Sequence, residues 1–67
     1  MFTVVELEDI RCALEDRRGY CTEQHNAYTK ENNDCRALYW KQERDAVKAL
    51  MNKVDAAILA LETSEKL

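Results

Sequence analysis

The chain contains no proline and a single glycine, Gly19. An average chain of this length would carry roughly 5 glycines and 3 prolines. Sheet proteins need several turns, and turns draw on Gly, Pro, Asn and Asp. The one cluster of such residues is Asn32-Asn33-Asp34. Sandwiches, barrels and α/β units are therefore excluded, and the sequence predicts an all-α fold with one main break.

Length and charge narrow the class of protein further. The 67 residues suffice for one domain, residues 1–67, and a single core of this size rarely stabilises a fold by more than ~3–5 kcal/mol. The net charge is −3; residues 1–34 hold four basic and eight acidic side chains, and residues 35–67 hold six and five. Nucleic-acid binders usually carry a clustered basic face. The sequence shows none, so we expect no nucleic-acid partner.

Membrane insertion and secretion are not expected either. The longest uninterrupted apolar run, from Ala56 to Leu61, is far shorter than the ~20 residues that span a bilayer. The first residues lack the basic stretch that precedes the apolar region of a signal peptide. The three cysteines are an odd number without the spacing of a disulfide framework. Reduced thiols in a cytoplasmic protein are the simplest interpretation.

The first helix has a well-marked start. Thr3 and Glu6 have the spacing of a capping box, in which each side chain bonds to the backbone amide of the other. Phe2 and Leu7 occupy the two positions of a hydrophobic staple. At about 100° per residue, one stripe then predicts a helix over about residues 4–31. The stripe consists of Leu7, Ile10, Leu14, Cys21, His25 and Tyr28.

A second helix is predicted after the break at residues 32–34, where each of Asn32, Asn33 and Asp34 is a plausible N-cap. It would span about residues 35–63 with one broad apolar face. That face carries Tyr39, Trp40, Val47, Leu50, Met51, Val54, Ala57, Ile58 and Leu61. So short a connection makes the two helices antiparallel neighbours, a helical hairpin. One uninterrupted helix is the alternative.

Facing residues of this hairpin should have numbers that sum to about 65, which brings apolar side chains together at four levels. The predicted pairs are Val4 with Leu61, Leu7 with Ile58, Ile10 with Val54, and Leu14 with Met51. We call the line along which the two helices face each other the seam. Toward the turn the seam becomes polar and aromatic, and such a break in the apolar pattern tends to mark an interface or a functional site. Arg18 and Glu43 are a candidate buried pair that fixes the register, or two charges that reach solvent along their own stems.

The apolar surface exceeds what one hairpin can cover. Leu38 and Leu59 point away from the helix 2 stripe, and small residues beside the stripe permit close helix approach. These small residues are Ala46, Ala49, Ala56 and Ala60. Short chains commonly need oligomerisation, and C2 is the commonest symmetry, so we expect a homodimer that forms a four-helix bundle. The predicted dimer and core residues are Leu7, Ile10, Leu14, Val47, Leu50, Met51, Val54, Ile58 and Leu61.

Cys21 and His25 lie four residues apart on one helix face, which suits metal ligation. A structural zinc needs four ligands, but Cys12 points to the opposite side and Cys35 lies roughly 10 Å along the axis from Cys21. One interpretation is a metal site that bridges the two chains of a dimer. The other is that Cys21 and His25 are interior residues, with His25 hydrogen-bonded to Glu43, a tyrosine or a backbone carbonyl. We expect no metal or cofactor. Two long helices also offer no oxyanion pocket, so catalysis is not expected.

Aromatic and arginine side chains near the turn are the candidate partner-binding residues, because Tyr, Trp and Arg are enriched in interface hot spots. The candidates are Arg17, Tyr20, Gln24, Tyr28, Tyr39, Trp40 and Arg44. The alternative is that Tyr28, Tyr39 and Trp40 fill the core near the turn while the arginines pair with acids. Tyr20 favours the interface, because it lies about 100° from the helix 1 stripe.

The run from Leu38 to Leu50, LYWKQERDAVKAL, taken with Leu7 to Leu14, resembles small phage-encoded helical-hairpin proteins. These accessory proteins bind and inhibit host regulators, receptors or defence components, often as dimers. Phage anti-activators of LuxR-type quorum-sensing receptors and some anti-CRISPR proteins are of this type. The resemblance covers most of the chain and is one of size and pattern. It implies a dimeric inhibitor of an unidentified protein, acting in the host cytoplasm.

Three functions fit these patterns. The first is a dimeric helical protein that binds another protein and blocks or tethers it. The second is a structural or assembly subunit of a larger helical homo-oligomer. The third is a metal- or redox-responsive module that uses Cys21 and His25.

Overall fold

A computed structural model describes residues 2–65 of the chain. Within that range the backbone forms two helices, α1 at Val4–Lys30 and α2 at Asp34–Glu65, and no strand. They pack against each other as an antiparallel hairpin of 53 × 16 × 14 Å. The predicted all-α hairpin is confirmed, and the alternative of one uninterrupted helix is wrong. Over the described residues, neither helix is long and apolar enough to cross a membrane.

The start of α1 is held by the predicted capping box. The Glu6 amide donates to Thr3 Oγ1 at 3.1 Å, and the Thr3 amide donates to Glu6 Oε1 at 3.0 Å. These bonds satisfy backbone donors that a helix start otherwise leaves open. Phe2 and Leu7, the predicted staple residues, line one apolar cavity together with Leu61 of α2. The chain therefore enters α1 against the end of the second helix.

Three residues, Glu31, Asn32 and Asn33, connect the two helices. Asn32 has a φ of 58°, in the left-handed region that asparagine tolerates better than most residues. Its amide donates to the Thr29 carbonyl at 3.1 Å, and the Asn33 amide donates to the Tyr28 carbonyl at 2.9 Å. This pair of bonds is a Schellman motif. Of the three predicted N-caps the structure uses Asn33, whose Oδ1 accepts from the Arg36 amide at 3.3 Å, so α2 begins at Asp34 rather than at residue 35.

The interior of the hairpin is small. Its buried side chains are Leu7, Cys21, Ala37, Val47 and Met51. Five further predicted residues are half-buried along the seam: Ile10, Leu14, Val54, Ile58 and Leu61. Leu50 does not belong to the core of the single chain, because it is 48 % exposed. It lies about 100° around α2 from Met51, which takes it out of the seam.

An ion pair connects the two helices away from the turn. Arg11 Nε donates to Asp55 Oδ1 at 2.6 Å, and these residue numbers sum to 66, one more than the predicted value. The hydrogen bond to Asp55, followed by its negative charge, raises the pKa of Arg11 above its ordinary value. Both side chains are exposed, so the pair contributes little to stability.

Candidate functional site

The hairpin has two flanks that differ in chemistry. Arg11 and Asp55 pair across one of them, and Arg17 and Glu43 pair across the other. Arg17 follows Arg11 by six residues, which turns a helix by about 240° and carries the side chain to the other side of the seam. We call the flank of Arg17 and Glu43 the aromatic flank, and the flank of Arg11 and Asp55 the charged flank.

Three aromatic side chains from both helices meet on the aromatic flank. Tyr20 of α1 lies edge-on to Trp40 of α2, with ring centroids 5.4 Å apart and an interplanar angle of 83°. Tyr39 meets Trp40 in the same manner at 5.1 Å and 80°. Trp40 is half-buried, whereas Tyr20 is 46 % and Tyr39 52 % exposed. The alternative in which Tyr39 fills the core is therefore wrong, and both tyrosines are accessible to a partner.

Arg17 completes this surface. Its Cζ lies 5.4 Å from the centre of the Tyr20 ring and 5.5 Å from that of Trp40, within the range of a cation–π interaction. Its Nη2 also lies 4.0 Å from Glu43 Oε2. The guanidinium of Arg17 therefore has two aromatic rings and one carboxylate as neighbours. We call Arg17, Tyr20, Tyr39 and Trp40 the aromatic cluster.

Of the two alternatives for Arg18 and Glu43, the buried pair is wrong. Glu43 pairs with Arg17 instead, and both of those side chains are exposed to solvent. Arg18 lies about 100° further around α1, on the charged flank, where it lines a groove with Arg44. Arg17 and Arg18 are neighbours on α1 but lie on different flanks of the hairpin. The sequence pattern does not show which of the two pairs with Glu43.

The other predicted partner-binding residues lie outside the aromatic cluster. Tyr28 is half-buried near the turn, where its hydroxyl accepts from Arg36 Nη1 at 3.1 Å and its ring lies 5.5 Å from the same guanidinium. Gln24 is half-buried one turn beyond Tyr20. Arg44 lies in the groove of the charged flank. The structure thus brings Arg17 and the three rings of the aromatic cluster together. It places Gln24 one turn from Tyr20 on the same face of α1, Tyr28 near the turn and Arg44 on the charged flank.

Cys21 and His25 lie in the interior. Cys21 is fully buried and His25 is half-buried. The Nδ1 atom of His25 is buried, and no described group hydrogen-bonds to it, so the predicted bond to Glu43, a tyrosine or a carbonyl is absent at this nitrogen. Cys12 and Cys35 are exposed. Across residues 2–65, no three His, Cys, Asp or Glu side chains are grouped as metal ligands would be.

An apolar strip continues from the aromatic cluster toward the open end of the hairpin. Glu43, Leu50 and Ala57 follow one another at seven-residue spacing, so they lie along one line of α2. The line leads to a cavity of about 330 Å³. Its lining residues are Phe2, Leu7, Ala57, Ala60 and Leu61. We call Phe2, Leu50, Ala57 and Leu61 the apolar strip; the sequence pattern indicated its α2 residues but not that Phe2 joins them.

Comparison with known proteins places this surface in no family. The chain matches no protein-family model, and neither a curated protein nor a solved structure is significantly similar to it. Function is therefore inferred from the surface itself. The surface combines exposed aromatic rings, a neighbouring guanidinium, an exposed leucine and an apolar cavity. These features are suited to contact with other proteins.

Proposed function

We propose that the chain is a non-enzymatic protein–protein interaction module that binds its target through the aromatic cluster. The observation that carries this proposal is the exposure of Tyr20 and Tyr39 beside Trp40 and Arg17. Tyr, Trp and Arg are the residue types enriched in binding hot spots. Their mutual contacts reduce the side-chain entropy that binding would cost, so the surface is pre-organised.

Self-association is the second part of the proposal. Only five side chains are buried among the described residues, and this core is small for a chain that must remain folded. The apolar strip runs toward the open end of the hairpin, away from the aromatic cluster. Two copies that pack their strips against each other would form a four-helix bundle and cover Leu50 and Phe2. The aromatic clusters would then remain free for the target.

The target class follows from the resemblance to small phage-encoded hairpins. We infer an inhibitor or anti-activator of a host regulatory or defence protein, acting in the host cytoplasm. The support for this inference is the size of the chain, its two-helix architecture and its exposed aromatic surface. A hairpin without long loops can block a partner only by covering one of its surfaces, which is the mode of action proposed here.

Target binding is tested with the tagged chain and a variant of the aromatic cluster. The double variant Tyr20→Ala/Arg17→Ala removes a ring and the guanidinium that lies over it. The matched control is Leu59→Ala/Lys41→Ala, which removes an exposed apolar side chain and a cation on another face of α2. A partner recovered from host lysate by the parent and the control should bind the cluster variant at least about tenfold more weakly. Equal binding to all three chains would contradict the proposal.

Self-association is tested separately by sedimentation equilibrium. Leu50 and Leu59 are both exposed leucines of α2, but they lie nine residues apart and point to opposite sides. Leu50→Lys should shift the parent dimer toward the monomer, while Leu59→Lys should leave it unchanged. A parent chain that is helical and monomeric at micromolar concentration would contradict the dimer.

A structural or assembly subunit is the second candidate, and one observation favours it. Leu38 and Leu59 are 55 % and 64 % exposed, and neither belongs to the apolar strip. A closed dimer leaves them in solvent, whereas a larger homo-oligomer would cover them. The same sedimentation experiment distinguishes the two, because an assembly subunit gives a mass above that of a dimer and is sensitive to Leu59→Lys.

A further inference from the structure

A groove opens on the charged flank near the middle of the hairpin. Its volume is about 470 Å³, and it is open to solvent. Its lining residues are Arg18, Gly19, Thr22, Arg44, Asp45 and Lys48. Arg18 and Thr22 are one turn apart on α1, and Arg44 and Lys48 are one turn apart on α2. Each helix therefore contributes successive turns to one opening, and no residue of the aromatic cluster takes part.

The groove is positively charged in a chain whose net charge is −3. It contains three cationic side chains and one carboxylate, that of Asp45. Among the described residues, Arg18 and Lys48 form no ion pair, and Arg44 lies 3.7 Å from Asp45, whose side chain is 60 % exposed. The arginine at position 11, in contrast, meets its carboxylate at 2.6 Å. Among the groove's own lining residues, three positive charges therefore face one carboxylate, and the lining carries a net positive charge.

The partial burial of its arginines favours the binding of an anion in the groove. Arg18 and Arg44 are half-buried, and charges that are partly removed from water interact more strongly than fully exposed ones. The Thr22 hydroxyl donates to the Arg18 carbonyl at 3.0 Å, so the guanidinium and ammonium groups are the donors that remain. Gly19 keeps one side open, because a Cβ there would meet no heavy atom within 4 Å.

We propose that this groove binds an oxyanion, a phosphoryl or carboxylate group, through Arg18 and Arg44 with Lys48 at the rim. A guanidinium presents paired N–H donors that match two oxygens of such a group, and an ammonium adds a point charge. The volume lies in the lower part of the ~300–1,000 Å³ range of small-ligand sites, so the groove holds one such group and its nearest substituents. Free phosphate and the acidic side chains of a partner protein share this chemistry, and the test separates them.

The test is a titration followed by ¹⁵N–¹H correlation spectra of the full chain. Gly19 is the one glycine of the sequence, so its amide is a unique reporter at the groove. Sodium phosphate and a six-residue glutamate peptide are titrated in parallel, each against sodium chloride at equal ionic strength. The expected result is a saturable shift of the Gly19 amide with at least one of the two probes and a small, non-saturating shift with chloride.

Charge variants assign the effect to the groove. Arg18→Gln and Arg44→Gln should each weaken the saturable binding by about tenfold, since each removes a charge-assisted hydrogen bond. Lys53→Gln is the matched control: it changes the net charge equally, at an exposed cation outside the groove, and should leave affinity within about twofold. Circular dichroism shows whether each variant keeps its helix content. Because there are two arginine variants, the test remains valid if one of them does not fold.

The outcomes are distinct. Saturation by phosphate alone assigns a phosphoryl ligand, and saturation by the glutamate peptide alone assigns an acidic partner segment. Non-saturating shifts with both probes, or equal losses in Lys53→Gln and Arg44→Gln, overturn the proposal. The inference is independent of the aromatic cluster, so Tyr20→Ala should retain the phosphate or peptide response even if it abolishes target binding.

Discussion

Tyr20 of α1 and Trp40 of α2 meet edge to face at a centroid distance of 5.4 Å, and this contact joins the two helices on the aromatic flank. Tyr20 is nearly half exposed, so the ring that contacts the second helix also faces solvent. A side chain with both roles links fold stability to partner binding, and the two effects have to be measured separately.

A double-mutant cycle measures the contribution of this pair to the fold. Tyr20→Leu, Trp40→Leu and the double variant should show a coupling of about 0.5–1.5 kcal/mol in urea unfolding, the range measured for aromatic pairs. Tyr28→Leu combined with Trp40→Leu is the control. Tyr28 lies eight residues from Tyr20 and contacts Arg36, so its effect should add to that of Trp40→Leu. Additive effects of Tyr20 and Trp40 would show that the edge-to-face contact contributes nothing to stability.

The left-handed residue of the turn gives a second prediction. Asn32 has a φ of 58°, a conformation that glycine adopts without steric cost and alanine does not. Asn32→Gly should retain or raise the free energy of unfolding, while Asn32→Ala should lower it by about 1 kcal/mol. Glu31, with a φ of −81°, is the control: Glu31→Gly should destabilise the chain. The measurement is thermal unfolding followed by circular dichroism, and a stabilising Asn32→Ala would contradict the assignment of the turn.

The single glycine provides a third prediction. Most substitutions lower the free energy of unfolding, but replacing this glycine should raise it. Gly19 lies inside α1, and a Cβ added there would meet no heavy atom within 4 Å. Gly19→Ala should therefore raise the free energy of unfolding by up to about 1 kcal/mol, the difference in helix propensity. Ala27→Gly, at an exposed position of the same helix, should lower it by a similar amount. A destabilising Gly19→Ala would indicate that this position needs glycine for packing against another chain.

The three thiols should react in two classes. Cys12 and Cys35 are exposed, whereas Cys21 is fully buried between the helices. A disulfide reagent such as dithionitrobenzoate should modify the two exposed thiols rapidly in the native chain. Cys21 should react only as fast as the hairpin opens, and in denaturant at the rate of the other two. Variants that each retain one cysteine assign the rates, and rapid reaction of Cys21 in the native chain would show that the seam is open near it.

Local features of the fold could be predicted from the sequence because they depend on residues within one turn of each other. The capping box needs Thr3 and Glu6 at a spacing of three, and the structure forms both of its hydrogen bonds. The turn needs a residue that tolerates a left-handed φ, and Asn32 is that residue. The choice of Asn33 as the N-cap was not predictable, because it follows from the Schellman bonds that end α1.

The candidate site was predictable in composition but not in arrangement. Aromatic and arginine side chains near the turn indicated a partner-binding surface, and four of them form the aromatic cluster. The sequence pattern did not separate Arg17 from Arg18, although the first contacts Tyr20 and the second lines the groove. It also treated Leu50 as a core or dimer residue without showing that solvent reaches it in the single chain.

The sequence by itself determined that the chain is helical, that it breaks once and that its apolar stripes can pair, because caps, turns and helical periodicity act over a few neighbouring residues. Only the tertiary structure decided which side chains lie on which flank. A residue at the edge of the seam turns to one flank or the other according to how the two helices lie against each other, and that geometry depends on contacts between residues far apart in the chain. The missing prolines and the lone glycine explain the hairpin, but the pairing of Arg17 with Glu43 and the open groove around Arg18 arise only when α1 and α2 are packed together.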